Sequence, residues 1–271
     1  MYGTDKRTGV NIMASFFGCR GWRFGLAIAL AAIPAALLAA DGAKLMTRPA
    51  PPDPNATTID MFDGIANGDI AVKIIPKDSK ESRVFIENKT DKPLSVKLPD
   101  AFAGVPVLAQ AAPGAPAGGG NNNQQQAVGG GGGMMGGGGG FMNIPPERIG
   151  QFKASTVCLD HGKAEPRPAV PYEIKPIETV VTNPEVQELC RLLAAGKVNQ
   201  RAAQVAVWHF NNDMSWQQLA AKQLRYANGA SEPYFTRQEV QAGMQLGVVA
   251  TKLAEQRKQQ KTSSDSNSSA K

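Results

Sequence analysis

Hydrophobic and polar residues alternate in three short segments near the start of the chain, at residues 70–76, 83–88 and 94–98. In the first of these, Ile70, Val72 and Ile74 fall on one face. Because successive side chains of a strand point to opposite faces, each segment predicts a strand with one buried face. The polar turns between the segments predict antiparallel strands joined by hairpins.

A further strand is predicted at residues 149–159, where Ile149, Phe152 and Val157 recur. Between it and the earlier strands, residues 111–141 hold 14 of the 29 glycines. Ordering glycine costs more backbone entropy than ordering any other residue, so we expect a disordered insertion there. Its simplest role is a loop of variable length, and a flexible tether is the alternative. Residues 58–160 are thus predicted to form a small antiparallel β-sandwich-like module.

Helical spacing replaces strand alternation from residue 183 onward, and three start signals accompany it. They are Asn183 before Pro184 and two capping-box pairs, Ser215 with Gln218 and Thr236 with Glu239. Residues 183–258 are therefore predicted to form a helical module of about four short helices. The predicted fold class is α+β, with the β module first and the helical module second.

The remaining segments predict connections rather than packed structure. Residues 43–57 are proline-rich and predict a linker. Residues 161–182 predict an extended strap, and residues 259–271 are rich in serine and polar residues and predict a disordered tail.

The first 42 residues have the pattern of a secretory signal peptide. Arg20 and Arg23 precede an apolar run at residues 24–40, and small residues such as Ala40 and Gly42 lie at its end. We expect cleavage near residues 40–43, with an uncleaved membrane anchor as the alternative. The protein is therefore predicted to be exported, and to be periplasmic, at the cell surface or secreted.

Composition narrows the functional classes. The formal net charge is +6 but the basic residues are scattered, so no nucleic-acid partner is expected. Aromatic residues make up only 6 % of the chain, which argues against a deep apolar substrate pocket. No common catalytic or phosphate-binding motif is present. We therefore expect a non-enzymatic structural or interaction protein without cofactor or metal. Its partner would be a protein or another cell-envelope component, and a membrane only if the signal is uncleaved.

Two cysteines, Cys158 and Cys190, remain after removal of the signal. An even pair in an exported chain is typical of a disulfide, and buried free thiols are the alternative. Together with His161 and His209 they match no common zinc-site spacing. A hydrolase built on Cys158 and His209 is a further alternative, although nothing in the sequence marks a third, orienting group.

The string Gln204-Val205-Ala206-Val207-Trp208 resembles the glutamine motif in the thioester domains of Gram-positive surface adhesins. The resemblance implies an internal thioester between Cys158 and Gln204, and covalent capture of an amine by the acyl carbon of Gln204. The chain departs from that pattern at Ala203, where threonine is usual, and at Val157, where an aromatic residue is usual. The alternative is that Trp208 and Val207 belong to a helix core.

Three longer segments resemble an uncharacterised family of exported bacterial proteins of the planctomycete type. They are CLDHGK at 158–163, YEIKPIE at 172–178 and AQVAVWH at 203–209. The resemblance covers about residues 58–255. It implies export and the layout of two modules, and it implies no activity.

Overall fold

The structure is a computed structural model that describes residues 43–107, 128–131 and 140–268. All described residues belong to one compact unit, which lies within Asp41–Lys271. The predicted signal peptide at 1–42 lies outside the described residues, as does most of the predicted insertion at 111–141. Within the described part of the chain, no helix is both long and apolar enough to cross a membrane.

Twelve strands and six helices make up the described residues. The strands are β1 Lys44–Leu45, β2 Thr57–Asp60, β3 Ile70–Pro76, β4 Glu81–Asn88, β5 Leu94–Lys97, β6 Phe102–Pro106, β7 Val128–Gly131, β8 Phe141–Ile144, β9 Arg148–Cys158, β10 Tyr172–Pro176, β11 Gln223–Arg225 and β12 Ser231–Pro233. The helices are α1 Met61–Asn67, α2 Ile177–Val180, α3 Pro184–Ala194, α4 Gln200–Asn212, α5 Trp216–Ala221 and α6 Arg237–Ser268.

The main sheet closes on itself into a barrel-like ring of six antiparallel strands. Its order is β9-β4-β3-β10-β6-β7, and β7 pairs again with β9. Strand β9 closes the ring because it is 11 residues long: its first part pairs with β4, and its last part, Ser155–Cys158, also pairs with β7. Strand β1 pairs in parallel with the beginning of β9.

The inner face of this ring carries the main hydrophobic core. Val84 on β4 lies opposite Phe152 on β9, and both are buried. Further inward-facing residues are Ile74, Phe102, Val128 and Tyr172. A second, three-stranded sheet with the order β2-β5-β8 contributes to the same core through its alternate side chains. The period-two alternation read from the sequence therefore corresponds to real inner and outer faces.

Helices cover one part of the outer face. Ala103, Val157 and Leu159 point outward from the ring and share a core cluster with Leu189 of α3 and Val207 of α4. Helix α6 packs on α3 and α4 through small residues, among them Gly243 and Ala250. The strands and helices predicted as two modules thus share hydrophobic cores within one compact unit.

The predicted α+β class with an antiparallel β module is confirmed, but the main sheet is a closed ring rather than a sandwich of open sheets. The difference arises from β7, which lies inside the segment predicted to be disordered, so that prediction is wrong at Val128–Gly131. Glycine is needed there because the backbones approach closely. A Cβ on Gly130 would lie 2.3 Å from the carbonyl oxygen of Ser155.

Several predicted boundaries also need correction. The strap at 161–182 contains β10, which alternates Tyr172 and Ile174 inward between β3 and β6. The tail at 259–271 is helical as far as Ser268, where α6 ends. The linker at 43–57 contains β1 and the start of β2. The sequence predicts that the helix opened by Ser215 runs to about Tyr226 and is ended by Asn228-Gly229. Instead, α5 ends at Ala221, and Gly229, with φ of 83°, lies in the turn of a β11–β12 hairpin.

The predicted helix starts have the expected geometry. The Asn183 side chain accepts hydrogen bonds from the backbone N–H groups of Glu185 and Val186. Both capping boxes are formed, at Ser215 with Gln218 and at Thr236 with Glu239. These signals are local in sequence, so the chain needs no distant contact to satisfy them.

Candidate functional site

Cys158 and Gln204, the pair implied by the thioester resemblance, are in contact. The Gln204 side-chain oxygen accepts from the Cys158 backbone N–H at 2.8 Å, and its amide nitrogen donates to the Cys158 carbonyl at 2.9 Å. Gln204 is 3 % exposed. The Gln204 side chain therefore makes the pair of hydrogen bonds that a further strand would make to the end of β9, and it joins α4 to the sheet.

The Cys158 thiol itself is buried and kept protonated. Burial raises the pKa of Cys158 far above its usual value, the negative charge of Glu165 raises it further, and a hydrogen bond from Ser79 lowers it. Nucleophilic cysteines have a lowered pKa, because the thiolate is the reactive species. The environment of Cys158 favours the opposite state.

The predicted disulfide between Cys158 and Cys190 is not formed, and both thiols are free and buried. Gly129 lies directly opposite Val157, and a Cβ on Gly129 would lie 2.8 Å from the Cys190 sulfur. Cys190 therefore faces the side of β9 that carries Val157, whereas Cys158, one residue on, points to the other side. Burial raises the pKa of the Cys190 thiol to about 12.

The two histidines make separate contacts. His161 lies with its Nε2 2.8 Å from the amine of Lys222. The Nδ1 of His209 lies 2.7 Å from the carbonyl oxygen of Met214, and its ring stacks on Trp216 at 3.8 Å. Within the described residues, no group of three or more His, Cys, Asp or Glu side chains is arranged to hold a metal ion.

A cluster of a lysine, a histidine and aromatic rings adjoins Cys158. The Lys222 amine lies 5.4 Å from the ring centre of Trp208 and 5.1 Å from that of Tyr234. His161 meets Trp208 edge to face at 4.8 Å. Burial and the Lys222 charge lower the pKa of His161, and burial lowers the pKa of Lys222, which Glu165 partly offsets. Perturbed pKa values concentrate at functional sites, so this cluster is one candidate.

A second candidate is a groove beside the first part of β9, with a volume of about 480 Å³. Its floor is apolar and includes Met46, Met142 and Phe152. Three cationic side chains, Arg48, Arg83 and Lys153, line it and are exposed. We call this the basic groove.

The charges of the basic groove are largely uncompensated. Lys153 has one long ion pair, 3.9 Å to Glu81. Arg48 and Arg83 form no ion pair with any residue that the structure describes. Guanidinium groups bind carboxylates and phosphates through paired hydrogen bonds, so this surface is suited to an anion.

Sequence reasoning missed both Lys222 and the three cations. Lys222 and His161 are 61 residues apart, and no local motif connects them. Arg83 and Lys153 meet only because β4 and β9 pair in a register that places them opposite each other. Cations are common on the exposed face of an alternating strand. Arg83 and Lys153 therefore stand out from other exposed cations only through the strand register, which the sequence does not show.

Comparisons of the chain with models of protein families, with curated proteins and with solved structures give no match.

Proposed function

We propose that this protein is an exported, non-enzymatic interaction protein that binds an anionic component of the cell envelope in the basic groove. The observation that carries the proposal is the pair of exposed arginines, Arg48 and Arg83, beside an apolar floor and without ion-pair partners among the described residues. A ligand with a phosphate or carboxylate next to an apolar chain would match both parts of this surface.

The chemistry elsewhere supports binding rather than catalysis. A nucleophilic Cys158 would need a thiolate, and burial raises the pKa of this thiol. The hydrolase alternative also needs His209 as a base beside the Cys158 thiol, whereas the contacts of His209 with described residues are with Met214, Phe210 and Trp216.

Octyl phosphate below its aggregation concentration is a suitable probe, because it joins one anionic group to one apolar chain. We expect saturable binding by calorimetry that weakens as salt rises, since exposed charges are screened. Arg83→Ala and Arg48→Ala should each lower the affinity by about tenfold, the effect of losing one charged hydrogen bond.

The matched control is Arg225→Ala, which removes an exposed arginine from the β11–β12 hairpin outside the groove. It should leave the affinity unchanged, and octanol should bind far more weakly than octyl phosphate. Absence of saturable binding, or equal loss of affinity in the Arg225→Ala variant, would overturn the proposal.

A thioester-bearing adhesion module is the second candidate, and the contact between Cys158 and Gln204 favours it over a hydrolase. Thioester formation joins the Cys158 sulfur to the side-chain carbonyl carbon of Gln204 and releases ammonia. The intact mass of the purified protein would then be lower by one ammonia, and methylamine would add to it. An unshifted mass that methylamine leaves unchanged would exclude this candidate.

Export and relationship to the planctomycete-type family are part of the proposal. Both rest on the sequence of residues 1–42 and on the segments at 158–163, 172–178 and 203–209. Sequencing the N-terminus of the protein isolated from its native cells tests export, because a mature start near residues 40–43 is expected. A chain that begins at Met1 or Met13 in the cytoplasmic fraction would contradict it.

A further inference from the structure

We propose that Lys222 is a modification site: its amine captures aldehydes, including the open-chain form of aldoses, as a Schiff base, and His161 carries the proton. This site lies apart from the basic groove and does not depend on the function proposed for that groove.

The geometry around the Lys222 amine provides a proton acceptor in contact with it. The distance of 2.8 Å between Lys222 Nζ and His161 Nε2 is that of a hydrogen bond in which the ammonium donates to a neutral imidazole. A proton can therefore pass directly from the amine to the ring. This transfer leaves the nitrogen lone pair free, which is the form of lysine that attacks a carbonyl.

Partial burial makes the Lys222 ammonium easier to deprotonate than that of a fully exposed lysine. Burial lowers the pKa of Lys222, and the charge of Glu165 opposes that shift. The other titratable or charged groups of the cluster are His161, Cys158, Tyr234 and Arg201, which lies over the Tyr234 ring. Lys222 is only half-buried, so a small aldehyde can reach it.

The reaction balances without any oxidant or reductant. The Lys222 ammonium gives a proton to His161, and the free nitrogen forms a bond to the aldehyde carbon. The carbonyl oxygen takes up that proton and a further one from the nitrogen, and leaves as water while the C=N bond forms. The product is a protonated imine that keeps the single positive charge of the original ammonium, and the rings of Trp208 and Tyr234 can stabilise it.

The test uses the full chain with limiting glyceraldehyde and cyanoborohydride, which reduces the imine to a stable amine. Peptide mass spectrometry then measures the labelling rate of each lysine at several pH values. We expect Lys222 to react about tenfold faster at pH 7 than Lys73, an exposed lysine on β3. Its rate should also persist to lower pH than that of Lys73.

Two variants separate chemistry from structure. His161→Gln keeps a hydrogen-bond acceptor near Lys222 but cannot carry a proton, so labelling of Lys222 should fall by about tenfold while that of Lys73 is unchanged. Lys222→Arg should remove the fast site and keep the native circular dichroism spectrum. Equal labelling rates at Lys222 and Lys73 in the unmodified sequence would overturn the proposal that Lys222 is a modification site. A Lys222 rate unaffected by His161→Gln would overturn the role of His161.

Discussion

The two halves of strand β9 make opposite use of their outward-facing side chains. In the first half, Gln151 and Lys153 face outward beside Arg83 of β4 and form part of the basic groove. In the second half, Val157 faces outward under helices α3 and α4 and is completely buried. We call these the open half and the covered half.

Polar groups in the two halves differ in how their partners are fixed. In the covered half, the Gln204 side chain makes two hydrogen bonds to the Cys158 backbone. In the helices above it, buried Glu188 receives hydrogen bonds from both Arg191 and Arg257. The open half instead leaves arginines without ion-pair partners among the described residues. A buried polar group needs a fixed partner, whereas an exposed cation is free to meet a ligand. The contrast separates groups that hold the fold together from groups that can bind.

The largest expected effect lies where β7 closes the ring onto the covered half. Gly130→Ala should destabilise the protein by about 3 kcal/mol, because its Cβ would lie 2.3 Å from the Ser155 carbonyl oxygen and the backbone must move. Chemical denaturation gives the free energy of unfolding. The control is Gly140→Ala, whose Cβ would meet nothing within 4 Å. Equal stabilities of the two variants would mean that β7 does not close the ring.

Gln204→Ala tests the fastening of α4 to β9 and should cost about 2 kcal/mol. It leaves the buried N–H and C=O groups of Cys158 without their side-chain partner, and an unsatisfied buried group carries its full desolvation penalty. Gln151→Ala makes the same substitution in the open half and should change stability by less than about 0.5 kcal/mol. If the two variants lose similar stability, the distinction between the halves fails.

Glu188→Gln tests the charge network in the helices and should cost about 1.5 kcal/mol, the effect of weakening charged hydrogen bonds at a buried site. The matched control, Glu81→Gln, removes a carboxylate whose ion pairs with Lys77 and Lys153 are both 3.9 Å long. Exposed pairs contribute little, so its effect should stay below about 0.5 kcal/mol. Thermal unfolding in low and high salt measures the stability loss of both variants. A larger loss for Glu81→Gln than for Glu188→Gln would contradict a structural role for the Glu188 network.

Local signals explain what the sequence predicted well. The caps at Asn183 and Ser215 depend on residues within one helical turn, and the alternating strands depend on their nearest neighbours. Gln204 and Cys158 were paired through a resemblance, and they do meet, although through the backbone of Cys158.

Long-range contacts explain what the sequence did not predict. The glycines of β7 predict a high entropy cost of ordering this segment. The steric need for Gly130 appears only once β7 pairs with β9, where Thr156 lies opposite Gly130 and the carbonyl oxygen of Ser155 comes close to it. Cys158 points to one side of β9, and Cys190 of α3 lies against the other side, beside Gly129 and Val157. This arrangement depends on the register between β7 and β9, which the amino-acid composition does not encode. Lys222 reaches His161 through the path of the chain after α5, where a longer helix was predicted.

The smallest expected effect is a pH dependence of stability in the covered half, arising from His161. Burial and the Lys222 charge lower the pKa of His161 in the folded protein below its ordinary value of 6.5. The unfolded chain therefore binds the proton more readily. The stability associated with a neutral His161 is complete above pH 6.5 and is lost as the pH falls below 6.5 and through the lower pKa of the folded state. The loss should be below about 1 kcal/mol, because His161 is partly exposed. Comparing unfolding free energies between pH 8 and pH 5.5 should show a steeper fall for the unmodified sequence than for His161→Gln, because glutamine at position 161 does not titrate.

Lys222→Gln should raise the pKa of His161 measured by NMR titration, since it removes the neighbouring cation. An unchanged pKa in that variant would mean that the two side chains do not interact in solution.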